Sequence, residues 1–307
     1  MDTVAGRRFI VIGSYIVDCI ARTSHLPAWE SDVQAESITL LPGGKALNQA
    51  VALARLGADV LALGVVGQDP AGSIVIDALE HNRVDTSLIR YQDTANTPLC
   101  LCFVGDSGET SFLWRIPDDM AITPADIDRA QQALTSADAV LMTYELPLDT
   151  AHYALSVLRT SSATVVVQPS PPLTGAHTLP YDGVDVLLPN RTEAHALLAA
   201  KGMATTSNPA DLPAMLHNAT GIPHIIVTCG ADGCFTFMDN SAGHFPAHPV
   251  PEVIDTTGAS DAFTAHFAAS KISGSSIDTS ITDALAAAAY SIQHAGGSTS
   301  MPPGPTR

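Results

Sequence analysis

Near its C-terminal end the chain reads Asp255-Thr256-Thr257-Gly258-Ala259-Ser260-Asp261, followed by an apolar, alanine-rich stretch with helical spacing. Small residues at a helix start leave backbone N–H groups free to face an anion, and the helix dipole favours negative charge there. Asp261 sits beside that turn, placed to take a proton from an attacking hydroxyl. Phosphoryl transfer needs an anion cradle and a base together. An N-cap followed by an acidic first turn would use the same residue types.

A second run, Pro42-Gly43-Gly44-Lys45-Ala46-Leu47-Asn48-Gln49-Ala50, opens a helix whose apolar positions continue through Val51, Ala54 and Leu56. Gly57 is a good residue to end it. The chain has only three lysines, Lys45, Lys201 and Lys271. One of them lies in a paired-glycine turn, where backbone can approach a ligand closely. A strand pattern over 60–66 and a turn over 67–72 follow.

The elements that must position these residues alternate. Short β-rich apolar runs at 9–12, 60–66, 139–143, 164–168, 184–188 and 225–228 are separated by helical patterns, among them 127–134, 150–158, 193–200 and 261–270. Such alternation predicts an α/β fold, a mostly parallel sheet covered on both faces. In such sheets ligands sit beyond the carboxyl ends of the strands. Residues 14–41 and 97–115 lack helical periodicity and carry β-type residues, while 168–180, rich in Pro, Ser and Thr, reads as a loop.

Composition narrows the classes. An apolar fraction of 46% over 307 residues supports a sizeable core, and 14 basic against 31 acidic residues argue against a nucleic-acid surface. A net charge of −17 also means that a phosphate site must rely on local backbone dipoles and metal ions. No apolar run approaches membrane-spanning length, and 9–12 is too short for the apolar core of a signal peptide. A cytoplasmic protein is expected. Five cysteines lack paired zinc-finger spacing. Cys100 and Cys102 alternate along a strand and share a face, which reads as packing, and Cys229 and Cys234 flank a glycine turn.

With both motifs in this order, the chain resembles the ribokinase-like (PfkB-type) carbohydrate kinase family, over nearly its whole length from residue 8 to residue 302. The resemblance implies a three-layer αβα core formed by 1–13, 42–96 and 116–307. A small β-sheet lid, 14–41 and 97–115, would close over the sugar and form a homodimer contact. It implies ATP-dependent phosphorylation of a hydroxymethyl group of a pentose-like sugar, with Asp261 as general base and the N–H groups of Gly258, Ala259 and Ser260 as anion hole. The usual family pattern has glycine where this chain has Ser260.

Carried over residue by residue, the sugar side is Asp18, Gly43, Gly44, Lys45, Asn48 and Glu145. Ile16 stands where ribokinases have an asparagine that contacts a sugar hydroxyl, and Ala46 and Leu47 are expected to narrow the glycine turn. The nucleotide side is Asn190, Thr228, Gly230 and Gly233, with the helix and loop over 284–297 along the adenine. Glu193 and Asn190 would hold Mg2+ through water. Asp255, Thr257, Ser291, His294, Gly296 and Ser300 match the positions that surround K+ in the family, His294 through its carbonyl. Ile16, Leu47 and Trp114 leave a nucleoside kinase open, Arg115 a keto-deoxy sugar acid, and Ser260 a sugar-binding sensor of little or no turnover.

Overall fold

Side chains of the strand β1 (Arg8–Ile12) alternate between two faces, and neither face is wet. Phe9 and Val11 pack into one core, Ile10 and Ile12 into another, all fully buried. A strand of this kind belongs in the middle of a sheet with helices on both sides. The computed structural model, which describes residues 4–106, 110–171 and 181–304, places β1 there.

From β1 the chain passes through β2 (Ile16–Arg22), β3 (Ser37–Gly43), α1 (Lys45–Arg55), β4 (Asp59–Gly67), α2 (Pro70–His81), β5 (Ile89–Gln92), β6 (Leu99–Val104) and β7 (Thr110–Trp114). Next come α3 (Pro124–Ser136), β8 (Ala139–Thr143), α4 (Leu148–Leu158), β9 (Thr164–Gln168), β10 (Val186–Leu187), α5 (Arg191–Ala200) and α6 (Leu212–Thr220). The chain ends with β11 (His224–Thr228), β12 (Cys234–Met238), β13 (Ser241–Phe245), α7 (Ala259–Ile272) and α8 (Ile277–Ser291). Nine strands form one sheet in the order β13-β12-β11-β10-β9-β8-β1-β4-β5. All pairings from β11 to β5 are parallel, and β12 and β13 turn back antiparallel at one edge. Helices α1, α2, α7 and α8 cover the face of Phe9, and α3 to α6 cover the face of Ile10. This is the expected three-layer arrangement.

Each expected strand is present, with 184–188 reduced to the two residues of β10. Three more strands join this sheet: β12 alternates as Cys-Phe-Thr-Phe-Met, β5 reads Ile-Arg-Tyr-Gln, and β13 is polar and half exposed. The segment 67–72 is a turn only as far as Asp69. There the Asp69 carboxylate accepts the Gly72 N–H at 2.7 Å and proline starts α2, a start masked in sequence by Gly72 within the first turn. Of the loop expected over 168–180, residues 172–180 lie outside the described residues.

The remaining strands form a second sheet in the order β3-β2-β6-β7. One face turns towards the C-terminal ends of the large sheet. The other is apolar and open: Ile38, Leu40 and Leu113 are 69%, 51% and 64% exposed. Among the described residues no helix is long and apolar enough to cross a membrane.

Between α7 and α8 lies His266, nearly fully buried, whose Nε2 has no partner among the described residues. Burial pushes its imidazole down to about 4, with Asp283 opposing the shift in part. The folded chain therefore holds it neutral where the unfolded chain, at 6.5, would take a proton. Stability is expected to fall as pH drops from 6.5 towards about 4, by up to about 3 kcal/mol. His266→Asn, neutral throughout, should flatten that part of the melting-temperature profile. An unchanged slope in the variant would assign the acid sensitivity elsewhere.

Candidate active site

The C-terminal ends of β1, β8 and β9 open towards the small sheet, and a cavity of about 370 Å³ lies between them. Asp18, Gly44, Lys45, Asn48, Glu145, Gly258, Ser260 and Asp261 all line it. Two motifs more than two hundred residues apart thus meet at one point.

Asp261 is in the first turn of α7, nearly fully buried. Its Oδ2 accepts from Asn48 Nδ2 at 2.8 Å, and its Oδ1 from Gln49 Nε2 at 3.4 Å. Gln49 also donates to Gln168 Oε1 at the end of β9. Burial raises the Asp261 carboxyl above its usual range, against the pull of Lys45 and of these amides. Ahead of it Gly258 has φ +80°, and a Cβ there would come within 2.8 Å of Met301 Cε; glycine alone makes the turn without strain. Among the described residues the N–H groups of Gly258 and Ser260 have no protein acceptor, whereas that of Ala259 reaches the Thr256 carbonyl at 3.3 Å. Two of the three expected anion donors are free and the third is weakly engaged.

The glycine turn before α1 is equally constrained. Gly44 has φ +96°, and a Cβ would meet the Ser14 carbonyl oxygen at 2.5 Å. This close approach holds the end of β1 against the start of α1 and brings Lys45 to the cavity. Burial acts to lower the Lys45 ammonium, but Asp261, Glu145, Glu193 and Asp18 together outweigh it and hold it above its ordinary value. Ala46 and Leu47 do not narrow the turn as expected, because both point into the core and are fully buried.

Glu145 follows β8. Its Oε2 accepts from Ser14 Oγ at 2.5 Å, Thr143 Oγ1 at 3.2 Å and the Ser14 N–H at 3.4 Å, leaving Oε1 for a ligand. Burial raises its carboxyl, with Lys45 opposing. Asp18 on β2 is pushed up to about 6 by burial and by neighbouring Glu145. Ile16, Cys100, Cys102, Phe112, Trp114 and Arg115 complete the wall on the small-sheet side.

Of the other expected residues Thr257 also lines this cavity, and the nucleotide-side residues lie outside it. Asn190 and Glu193 form a reciprocal cap on α5: the Asn190 N–H donates to Glu193 Oε2 and the Glu193 N–H to Asn190 Oδ1, each at 2.8 Å. Glu193 is buried, which raises its carboxyl; Ser170 and Lys45 lie close enough to pull it down. All donors here are oxygen, the set a hard divalent cation takes, and one carboxylate oxygen is left by the cap. Thr228 to Gly233 is a tight hairpin between β11 and β12. Gly233 uses both its N–H and its carbonyl inside the turn, and Gly230 is exposed. Thr228 bridges to Asn190, so the two nucleotide-side segments are adjacent.

Asp255 staples two loops, accepting the Thr257 N–H at 2.9 Å and the Gly296 N–H at 2.8 Å. Ser291 and Ser300 face each other at 2.9 Å, both fully buried. His294 turns its ring away, stacking on Tyr290 and donating from Nδ1 to the Tyr290 carbonyl. The six residues expected around a monovalent cation therefore fall on the loop before α7 and on the end of α8 with the segment that follows it, the two held together next to the start of α7.

Sequence reading missed Gln49, Gln168, Ser14 and Thr143. The available signal was a polar residue at a core position: Gln49 in an apolar helix stripe, Gln168 closing a run of valines.

Comparison with known proteins gives consistent results. A family model for pfkB family carbohydrate kinases matches residues 7–303. The deoxyribokinase of Salmonella typhi is 29% identical over 298 residues, 95% of this chain and 94% of that protein. The ribokinase of Haemophilus influenzae is 27% identical over 292 residues, with coverage of 95% and 94%. In fold, the chain is similar to Arabidopsis thaliana ribokinase, solved with ribose and ATP, at a TM-score of 0.84 and 24% identity, covering 97% of this chain and 96% of that one.

Proposed function

The chain belongs to the pfkB family of carbohydrate kinases, and from that premise we propose that it transfers the γ-phosphoryl group of ATP to a hydroxymethyl group of a pentose-like sugar. The carrying observation is the buried Asp261 sharing one cavity with Asp18, Lys45, Asn48 and Glu145. Carboxylates suit a polyol because each can accept from two neighbouring hydroxyls. Asp18 and Glu145 hold the sugar, and Asn48 and Gln49 fix the plane of the Asp261 carboxylate. Asp261 takes the proton of the attacking hydroxyl as its oxygen bonds to phosphorus. ADP leaves with the electron pair of the broken P–O bond.

Charge developing on the transferred group is met by the N–H groups of Gly258, Ala259 and Ser260. Ser260 supplies the same backbone donor as the family's glycine, with less conformational freedom. Glu193 and Asn190 would hold Mg2+ through waters, and that ion would neutralise polyphosphate charge. Asp255, Thr257, Ser291, His294, Gly296 and Ser300 would surround K+ beside the turn.

Ile16 makes the substrate test specific. A wall that offers a methyl group where a hydroxyl partner is expected discriminates weakly between ribose and 2-deoxyribose. Thermal melting with ribose, deoxyribose, fructose and nucleosides, each with and without an ATP analogue, Mg2+ and K+, should give similar shifts for the two pentoses, larger with nucleotide. Ile16→Asn should then favour ribose by roughly tenfold, the worth of one hydrogen bond. The exposed aromatic faces of Phe112 and Trp114 on the cavity wall support a second reading, a nucleoside kinase. A shift with nucleosides alone would replace the pentose assignment with it.

A further inference from the structure

Cys100 and Cys102 lie on β6 two residues apart, on the face that lines the cavity. Their Sγ atoms stand 3.6 Å apart. Two thiolates bound at about 2.3 Å to one tetrahedral ion would stand about 3.8 Å apart. Asp18 is paired in register with Cys100 across the β2–β6 ladder, and its carboxylate lies with both sulfurs in a group whose ligand atoms are all within 4.8 Å of one another. Gly43 on the facing strand makes room for it: a Cβ there would lie 2.1 Å from Asp18 Oδ2. We propose that Cys100, Cys102 and Asp18 bind a thiophilic divalent cation of the zinc type on the wall of the sugar cavity.

The donor set separates this from ordinary packing. Two buried thiols in van der Waals contact need no carboxylate, yet here a carboxylate sits on the same side in a partly apolar wall. Two sulfurs and one oxygen make three protein ligands, and the fourth position faces the cavity, the pattern of an open zinc site. On binding, both sulfurs bond to the ion and both thiol protons pass to solvent, leaving a site with one net negative charge from three anionic ligands and a dication. Nothing is oxidised.

Asp18 is shared with the proposed sugar contacts, so an ion held here competes with substrate. That consequence rests on the kinase reading; the site itself does not. The test is titration of the full chain, freed of metal by chelator and dialysis, with Cd2+ alone, following the ultraviolet cadmium–thiolate charge-transfer band. A band saturating at one equivalent is expected, about halved in Cys100→Ser and in Cys102→Ser and lost in the double variant. Asp18→Asn should keep both Cd–S bonds but weaken binding by roughly tenfold or more. Cys229→Ser should leave the band unchanged.

No saturable band in the native chain would overturn the proposal, and so would a band that survives intact in either single variant. If melting shows the double variant unfolded, the two single variants and Asp18→Asn still decide. Bound Cd2+ that leaves turnover unaffected would support the site and overturn its competition with substrate.

Discussion

Asp261→Asn is expected to lower kcat by about two to four orders of magnitude, the share general-base catalysis supplies, while sugar and nucleotide still bind. The carboxamide has the same shape. Its oxygen can keep the bond from Asn48 Nδ2 at 2.8 Å, and its NH2 replaces only the oxygen that accepts from Gln49 Nε2 at 3.4 Å, the longer of the two contacts. Replacing a buried carboxyl that burial already strains towards its neutral form should leave the fold as stable or more so. Single-turnover phosphorylation and melting with ligand separate the two effects. A kcat within about tenfold of the native value would remove Asp261 as base. A chain that binds sugar and nucleotide with negligible turnover even before the change would instead fit the sensor reading that Ser260 leaves open.

The fold was legible wherever burial on both faces wrote an unbroken apolar run: β1, β4, β8, β9 and β11 all announce themselves. Strands β5 and β13 did not, because edge strands need only partners on one side and tolerate arginine, glutamine, glycine and histidine. The candidate site was legible where backbone geometry demanded a residue type. Gly44 and Gly258 stand at positive φ that few other residues accept, and Lys45 and Asp261 follow directly from them.

What sequence left dark are contacts whose meaning exists only across the fold. Gln49 reads as one more helix residue until Asp261 arrives beside it from two hundred residues away. Cys100 and Cys102 read as packing until the register of β2 and β6 sets Asp18 against them. Leu47 is the reverse case. Adjacency to a ligand-binding turn suggested a role, but helical geometry rotates the side chain into the core.

Lys45→Met should move the acid limb of the kcat/KM profile upward by about one to three pH units, the reach of an opposite charge on a nearby carboxyl. The methionine keeps the length of the stem and removes only the charge. Lys45 pulls down the carboxyls of Asp18, Glu145, Glu193 and Asp261 alike, against the burial that raises each of them. Without it all four rise, and Asp18, already at about 6, would be largely protonated near neutral pH and would accept fewer sugar hydroxyls. The base acts only when ionised, so each unit of upward shift costs about tenfold in kcat/KM at a pH below the limb. The stability effect has a definite sign as well. Carboxyls whose folded-state values are raised bind more protons folded than unfolded, so stability falls as pH rises through those values. The variant should therefore melt below the native chain at pH 8, and the gap should close towards pH 5. Loss of a sugar contact alone would raise KM for the sugar at every pH and leave the limb in place. That outcome would confine Lys45 to binding and leave the ionisation of Asp261 to the amides of Asn48 and Gln49.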